Sequence, residues 1–218
     1  MSNKIALYTA IYGNKDTLNP APKIDGVDTI LFTDSVFEDS KGWIVKQISG
    51  QYKSNNLNAK QYKILPHIFL SNYDSTIWVD GNFNFKNVEQ FIKDYDNKDM
   101  TVFDHQSSAD CRNCIYKEAI AVINLQKDKA NVVEKQINKY KKEYYPPNNG
   151  LICGGIMFRK NIKDVNILMD YWWDEIINGS IRDQISFNYS AWKNNFEPHY
   201  IKKDIRNNEY FIFNRHKK

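Results

Sequence analysis

Cysteine is scarce in this chain: there are three among 218 residues. An odd, small number does not make a disulfide framework and fits a reducing compartment, so the expected location is the cytoplasm. Apolar runs are short as well. None approaches the roughly 20 residues a membrane-spanning helix requires. The apolar stretch 5–12 reads as a first strand rather than a signal peptide. With six prolines and nine glycines, the chain has no Pro/Gly-rich hinge, low-complexity linker or internal repeat to divide it. One domain over residues 1–218 is therefore expected. Sequence signatures are missing too: there is no Walker P-loop, no Rossmann glycine fingerprint, no Gly-x-Ser-x-Gly elbow and no His-Glu-x-x-His pair. A formal charge of +4, from 30 basic and 26 acidic residues, makes no demand for nucleic acid. The basic end Arg215–Lys218 is either simply solvated or a peripheral contact for an anionic ligand or membrane surface.

What is present is apolar and aromatic. A hydrophobic fraction of 42% and an aromatic fraction of 14% exclude disorder and are enough for a real core. Strand-like and helix-like segments alternate, which predicts an α/β layered fold. Strands are expected at 4–12, 29–33, 43–48, 75–79, 100–103 and 150–159, the last broken by Gly154-Gly155. Helices are expected at 57–71 (distorted at Pro66), 88–95, 115–125, 131–144, 165–176 and 183–192.

Four local features could carry chemistry. Trp78-Val79-Asp80-Gly81-Asn82 ends an apolar strand in a polar turn, the place where open α/β sheets bind ligands. Asp80 and Asn82 could face one divalent cation across a glycine; they equally suit a strand-terminating turn. In Ser180-Ile181-Arg182-Asp183-Gln184, the polar run could orient a polyhydroxylated substrate, or Ser180 or Asp183 could merely cap a helix. His105, Cys111 and Cys114, with Cys153 as a distant fourth, invite a zinc reading, but two thiols without metal are the simpler expectation. His216 follows the aromatic run Tyr210–Phe213, which predicts a docked tail able to bring it to a metal; a surface histidine in a frayed end is the alternative. His67 and His199 read as structural.

An ordered set of segments then stands out: Leu7-Tyr8-Thr9-Ala10-Ile11-Tyr12-Gly13, Leu31-Phe32-Thr33-Asp34, Ala59-Lys60 with Lys63, Ile77-Trp78-Val79-Asp80-Gly81-Asn82, and Arg182-Asp183-Gln184-Ile185-Ser186-Phe187. Cys114-Ile115-Tyr116-Lys117-Glu118-Ala119 and Tyr171-Trp172-Trp173-Asp174-Glu175 fit the same pattern. From about Lys4 to Trp192 the chain resembles the glycosyltransferase-like family of plant mucilage and turgor-related proteins and bacterial polysaccharide loci.

The resemblance implies a GT-A-like α/β sandwich with a mixed, mostly parallel sheet flanked by helices. Residues 1–105 would bind the nucleotide sugar and residues 106–218 the acceptor. Thr9, Ala10 and Tyr12 would lie beside the nucleoside, Asp34 near base or ribose, and Lys63 and Arg182 toward the donor's diphosphate and sugar. Asp80, Asn82 and His216 would hold Mn²⁺ or Mg²⁺, with Asn82 departing from the family's carboxylate at that position. Gly154 and Gly155 would admit the donor sugar, and Asp183 and Gln184 would meet sugar or acceptor at the reacting centre. The implied activity is transfer of a hexose from a UDP-type donor to a glycan hydroxyl, with retention, in surface polysaccharide synthesis. A non-catalytic carbohydrate- or nucleotide-binding module is the alternative. A sugar-nucleotide pyrophosphorylase is disfavoured because Gly13-Asn14-Lys15-Asp16 is too sparse for its glycine-rich loop.

Overall fold

The structure, a computed structural model, describes residues 3–214. Its strands are β1 (Ile5–Ile11), β2 (Val27–Thr33), β3 (Ile44–Gln47), β4 (Ser75–Val79), β5 (Phe83–Phe85), β6 (Met100–Asp104), β7 (Ile152–Lys160), β8 (His199–Ile201) and β9 (Phe211–Phe213). Its helices are α1 (Asn55–Ile64), α2 (Pro66–Phe69), α3 (Val88–Tyr95), α4 (Ile115–Asn124), α5 (Ala130–Lys142), α6 (Lys163–Ile177) and α7 (Asp183–Lys193). A seven-stranded sheet has the order β3-β2-β1-β4-β7-β6-β8. Strands β1 to β4 run parallel, β7 is antiparallel to both neighbours, and β8 is parallel to β6. The expected mixed, mostly parallel sheet is what the chain forms.

Strand β1 shows why the sheet is buried on both sides. Side chains alternate faces along a strand. Ala6, Tyr8, Ala10 and Tyr12 enter one cluster with Tyr62 of α1, Trp172 of α6 and Phe187 of α7. Ile5, Leu7 and Ile11 enter a second cluster with Phe91 of α3 and Phe211 of β9. A third cluster joins α4, α5 and α7 around Val122, Val133 and Tyr189. An unbroken apolar run with period-two partition is the signature of a strand covered by helices on both faces.

Two expectations need correction. The helix foreseen over 57–71 is two helices, because Pro66 has no N–H to continue the first and instead opens the second. Ser54 caps α1, its hydroxyl accepting from the Leu57 amide. Strand β7, foreseen as broken at Gly154-Gly155, is continuous, and the irregularity falls in its pairing. Val102 pairs with Met157 but Phe103 pairs with Cys153, so the ladder jumps across the two glycines as a bulge.

The aromatic run near the C-terminus docks as foreseen: β9 pairs with β5, and the Asn214 amide donates to the Asn82 carbonyl at 2.9 Å. His216 and the basic end lie outside the described residues. No helix among the described residues is long and apolar enough to cross a membrane.

Trp172 is fully buried in the first cluster, and its indole N–H reaches the Asp183 carbonyl at 3.1 Å. Trp172→Ala is expected to cost about 3–5 kcal/mol of stability, read as a lower urea midpoint with an unchanged slope.

Candidate functional site

A cleft of about 250 Å³ opens beyond the carboxyl ends of β1 and β4. Ala10 and Ile11 of β1 and Tyr12 just after it, Asp80 and Gly81 after β4, Gly154 and Gly155 of β7 and Asp183 and Gln184 of α7 all line it. So do Lys60 and Lys63, one turn apart on α1. Of the site residues expected from sequence, it collects Ala10, Tyr12, Lys63, Asp80, Gly154, Gly155, Arg182, Asp183 and Gln184.

At its floor lies an ion cluster. Lys63 Nζ stands 2.6 Å from Asp183 Oδ2 and 3.3 Å from Asp80 Oδ1, and Lys60 Nζ is 3.1 Å from the same Asp183 oxygen. The Lys63 and Asp183 side chains are almost wholly buried, whereas Asp80 is about 39% exposed at the cleft. Trp78 fixes Asp80 from beneath, its indole N–H donating to Asp80 Oδ1 at 2.7 Å. Burial by itself would raise the Asp183 pKa, but Lys60, Lys63 and Arg182 outweigh it and hold the carboxyl well below the usual range. Burial would likewise lower Lys63, and the two aspartates reverse this and hold it charged. At Lys60 burial wins over Asp183, and its pKa falls to about 8.

The glycines make this packing possible. A side-chain carbon at Gly154 would sit 3.3 Å from both Lys63 Nζ and Asp183 Oδ2. One at Gly155 would press on Phe83 at 3.0 Å, while its carbonyl accepts from the Asp80 amide at 2.8 Å. Asp183 does not cap its helix as one reading foresaw. It is the first helical residue after Arg182, and its carboxylate turns to the lysines. Ser180 instead closes the preceding turn, accepting from the Arg182 amide at 3.1 Å and donating to Asp128 at 2.6 Å. Gln184 donates to the Ile152 carbonyl at 2.8 Å, tying α7 to the start of β7.

Three expected residues lie elsewhere. Thr9 is on the opposite face of β1 from Ala10, lining a small void with Trp43 and Phe83. Asp34 accepts from the Gly13 amide at 3.1 and 3.2 Å, joining the ends of β2 and β1 rather than lining the cleft. Asn82 donates its amide to the Asn214 carbonyl at 3.3 Å, anchoring the tail. His105, Cys111, Cys114 and Cys153 do not converge either. His105 is held by Arg112, Cys111 is exposed, and Cys153 contacts the Ser108 hydroxyl at 3.3 Å. Among the described residues no group of three or more His, Cys, Asp or Glu could hold a metal by itself.

Sequence reasoning missed Lys15, Asp16, Asn55, Asn56 and Lys127, which also line the cleft. Lys15 donates to Asn56 at 2.5 Å, so the loop after β1 and the start of α1 form one wall. Asp128 holds the opposite wall, accepting from Ser180 Oγ and the Ile181 amide; its neighbour Lys127 and Arg182 both line the cleft there. The Lys15-Asp16 pair in the loop after the first strand was the available signal; Lys127, in a loop between two helices, carried none. The balance of the cleft is five cationic side chains against three carboxylates. That surplus suits an anionic ligand.

A mixed α/β sheet with a cationic, carboxylate-floored cleft at its strand ends defines a GT-A-like protein. The chain belongs to the family described as TOD1/MUCI70, glycosyltransferase-like domain, whose model matches residues 28–214. No curated protein matches it.

Replacing Asp183 by Asn leaves two buried ammonium groups without their shared carboxylate. Asp183→Asn should lower stability by about 3–5 kcal/mol at neutral pH. A carboxyl held below its unfolded pKa contributes fully above that pKa and loses its contribution in acid. The stability gap between wild type and variant, measured by urea unfolding, should be flat above about pH 5 and narrow progressively below it.

Proposed function

We propose that this chain transfers a hexose from a nucleotide diphosphate sugar, of the uridine type, to a glycan hydroxyl. The observation that carries the reading is the Lys60–Lys63–Asp183–Asp80 cluster on the floor of a cationic cleft at the carboxyl ends of the sheet. Lys15, Lys60, Lys127 and Arg182 would receive the diphosphate, and Ala10 and Tyr12 the nucleoside. Fixed positive charge at the leaving group stabilises the negative charge that develops there. Asp183, locked ionised, would orient the sugar through its hydroxyls together with Gln184. The family resemblance favours retention, in which no general base is required. Residues 1–105 would form most of the nucleotide wall, with Lys127 and Arg182 reaching the diphosphate from the half, residues 106–218, that would also meet the sugar and acceptor. We propose synthesis of bacterial surface polysaccharide in the cytoplasm as its setting.

The donor set fits Mn²⁺ or Mg²⁺. A side-chain carbon on Gly81 would lie 3.3 Å from Asp16 Oδ2, so the Asp16 carboxylate closes over the turn that bears Asp80. Two hard carboxylates lining one cleft match ions bound through one or two protein oxygens plus substrate phosphates. Asp80 would hold the ion, with Asp16 beside it; of the other two ligands expected from sequence, Asn82 has its amide held by the tail and His216 lies outside the described residues. When bound, the ion neutralises charge on the departing diphosphate.

A second reading, a sugar- or nucleotide-binding module without transfer, is favoured by one observation: the Asn82 amide is committed to the tail. Donor turnover separates the two, because a module binds a UDP-sugar without hydrolysing or transferring it.

Calorimetric titration with UDP tests the site. Binding should strengthen at least tenfold when Mn²⁺ is present and be lost in Asp80→Ala. Failure of wild type to bind any nucleoside diphosphate under every metal condition would sink the proposal. The pH profile adds a second test. A bound diphosphate favours the Lys60 ammonium, so UDP affinity should fall as pH rises through about 8. Lys60→Met should bind more weakly and lose that dependence between pH 7 and 9.

A further inference from the structure

A second concavity, of about 520 Å³, lies at the far end of α7. Asn188, Trp192 and Asn195 from α7 and its exit line it, facing Asn148 and Asn149 from the loop before β7, with Tyr200 of β8 between. Among the described residues lining it, Glu197 alone carries charge. In this it is the opposite of the cationic cleft.

Its walls are built rather than incidental. Asn188 is buried; its side-chain oxygen accepts from the Ile152 amide at 3.2 Å, and its NH₂ donates to Tyr200 Oη at 2.7 Å. Gly150, at φ +83°, lies so close that an added side-chain carbon would be 2.9 Å from the Asn188 amide nitrogen and 3.1 Å from Tyr200 Oη. Asn148 and Asn195, one on each wall, both adopt positive φ (56° and 51°), which asparagine tolerates and which leaves their amides on exposed turns. Trp192 is backed by Tyr145 at 5.5 Å and Tyr189 at 6.0 Å, yet 36% of it remains exposed. A rigid indole with part of its surface exposed, flanked by side-chain amides, has the chemistry that recognises neutral polyhydroxylated ligands; the Lys193 ammonium, 5.8 Å from the ring centroid, is neutralised by Glu143 at 2.8 Å. The indole packs against sugar C–H groups, and the amides donate and accept toward hydroxyls.

The groove is also coupled to the cleft. Gln184, Asn188 and Trp192 follow one another at four-residue spacing along a single face of α7. The helix spans eleven residues, so its two ends are about 16 Å apart. Gln184 lines the cleft, Asn188 lines the groove, and both grip Ile152 at the start of β7.

We infer that this groove is a carbohydrate-binding subsite that holds a neutral oligosaccharide, the distal part of the glycan acceptor, at the end of α7 remote from the reacting hydroxyl. Calling the ligand an acceptor rests on the transferase reading; binding of the oligosaccharide does not.

The test is titration of the full chain with maltotriose, cellotriose and galactotriose, followed by calorimetry and Trp fluorescence. At least one should bind wild type in the millimolar range. Trp192→Ala should weaken it tenfold or more, with Trp192→Phe restoring most of the loss. Asn195→Gly, which keeps the positive φ and removes the amide, should weaken it severalfold. Both variants should retain wild-type UDP binding, which also shows that they are folded. Asp80→Ala should bind the trisaccharide normally while losing UDP, so the two proposals fail separately. If none of the three sugars binds, or if the sugar that binds does so equally well to Trp192→Ala and Asn195→Gly, the subsite is refuted.

Discussion

Everything around the cleft depends on one buried ammonium, that of Lys63, closed between Asp183 and Asp80. A lone charge at that depth would be lost to its own desolvation. Three separate elements are therefore drawn to one point. Helix α1 brings the lysine, the turn after β4 brings one carboxylate and the first residue of α7 brings the other. Any slip of one element against the others leaves an unpaired charge, a larger penalty than most single packing faults. The cluster thus acts as a register pin for the whole mouth of the sheet.

The layers beneath serve the same point. Arg159 on β7 is wholly buried and donates to the Lys63 carbonyl at 2.6 Å and to the Tyr8 hydroxyl. It thereby satisfies a carbonyl at the end of α1, where the helix has run out of partners. Trp78 holds Asp80 and Trp172 holds the Asp183 backbone, so each carboxylate of the cluster has an indole N–H behind it or behind its residue. Large aromatic side chains with one polar tip are suited to this double duty of filling the core and fixing a polar group. The high aromatic content of the chain finds part of its use here.

The cleft and the groove divide ligand chemistry between two ends of one helix. At the first residue of α7 the cleft is lined by charged groups, and beyond its last turn the groove is lined mainly by amide and aromatic groups. The same helix supplies side chains to both because its buried face is anchored along its length by β7 and by the α4–α5 pair. A rigid scaffold of this kind lets two sites keep a fixed distance without sharing a residue.

Much of this architecture is legible in the amino-acid sequence. Strand β4, helix α3 and the core faces of α4 to α7 follow from apolar periodicity, and the strand-end turn at Asp80 follows from a polar triplet closing an apolar run. Their positions are local properties, written in the spacing of side chains that must be buried. What spacing could not reveal is which distant residues meet. The parity of β1 sends Thr9 to the far face while Ala10 borders the cleft. The bulge opposite Gly154 keeps β7 whole where a break was expected. Lys127 and the groove around Trp192 have no motif at all, because their neighbours lie far away in the chain. The elements and the chemistry they carry were thus set by the order of residues, since burial and backbone preference act locally. The Lys63 cluster and the two sites belong to the folded molecule, because charges as distant in the chain as Lys63 and Asp183 can pair only once the sheet has brought them together.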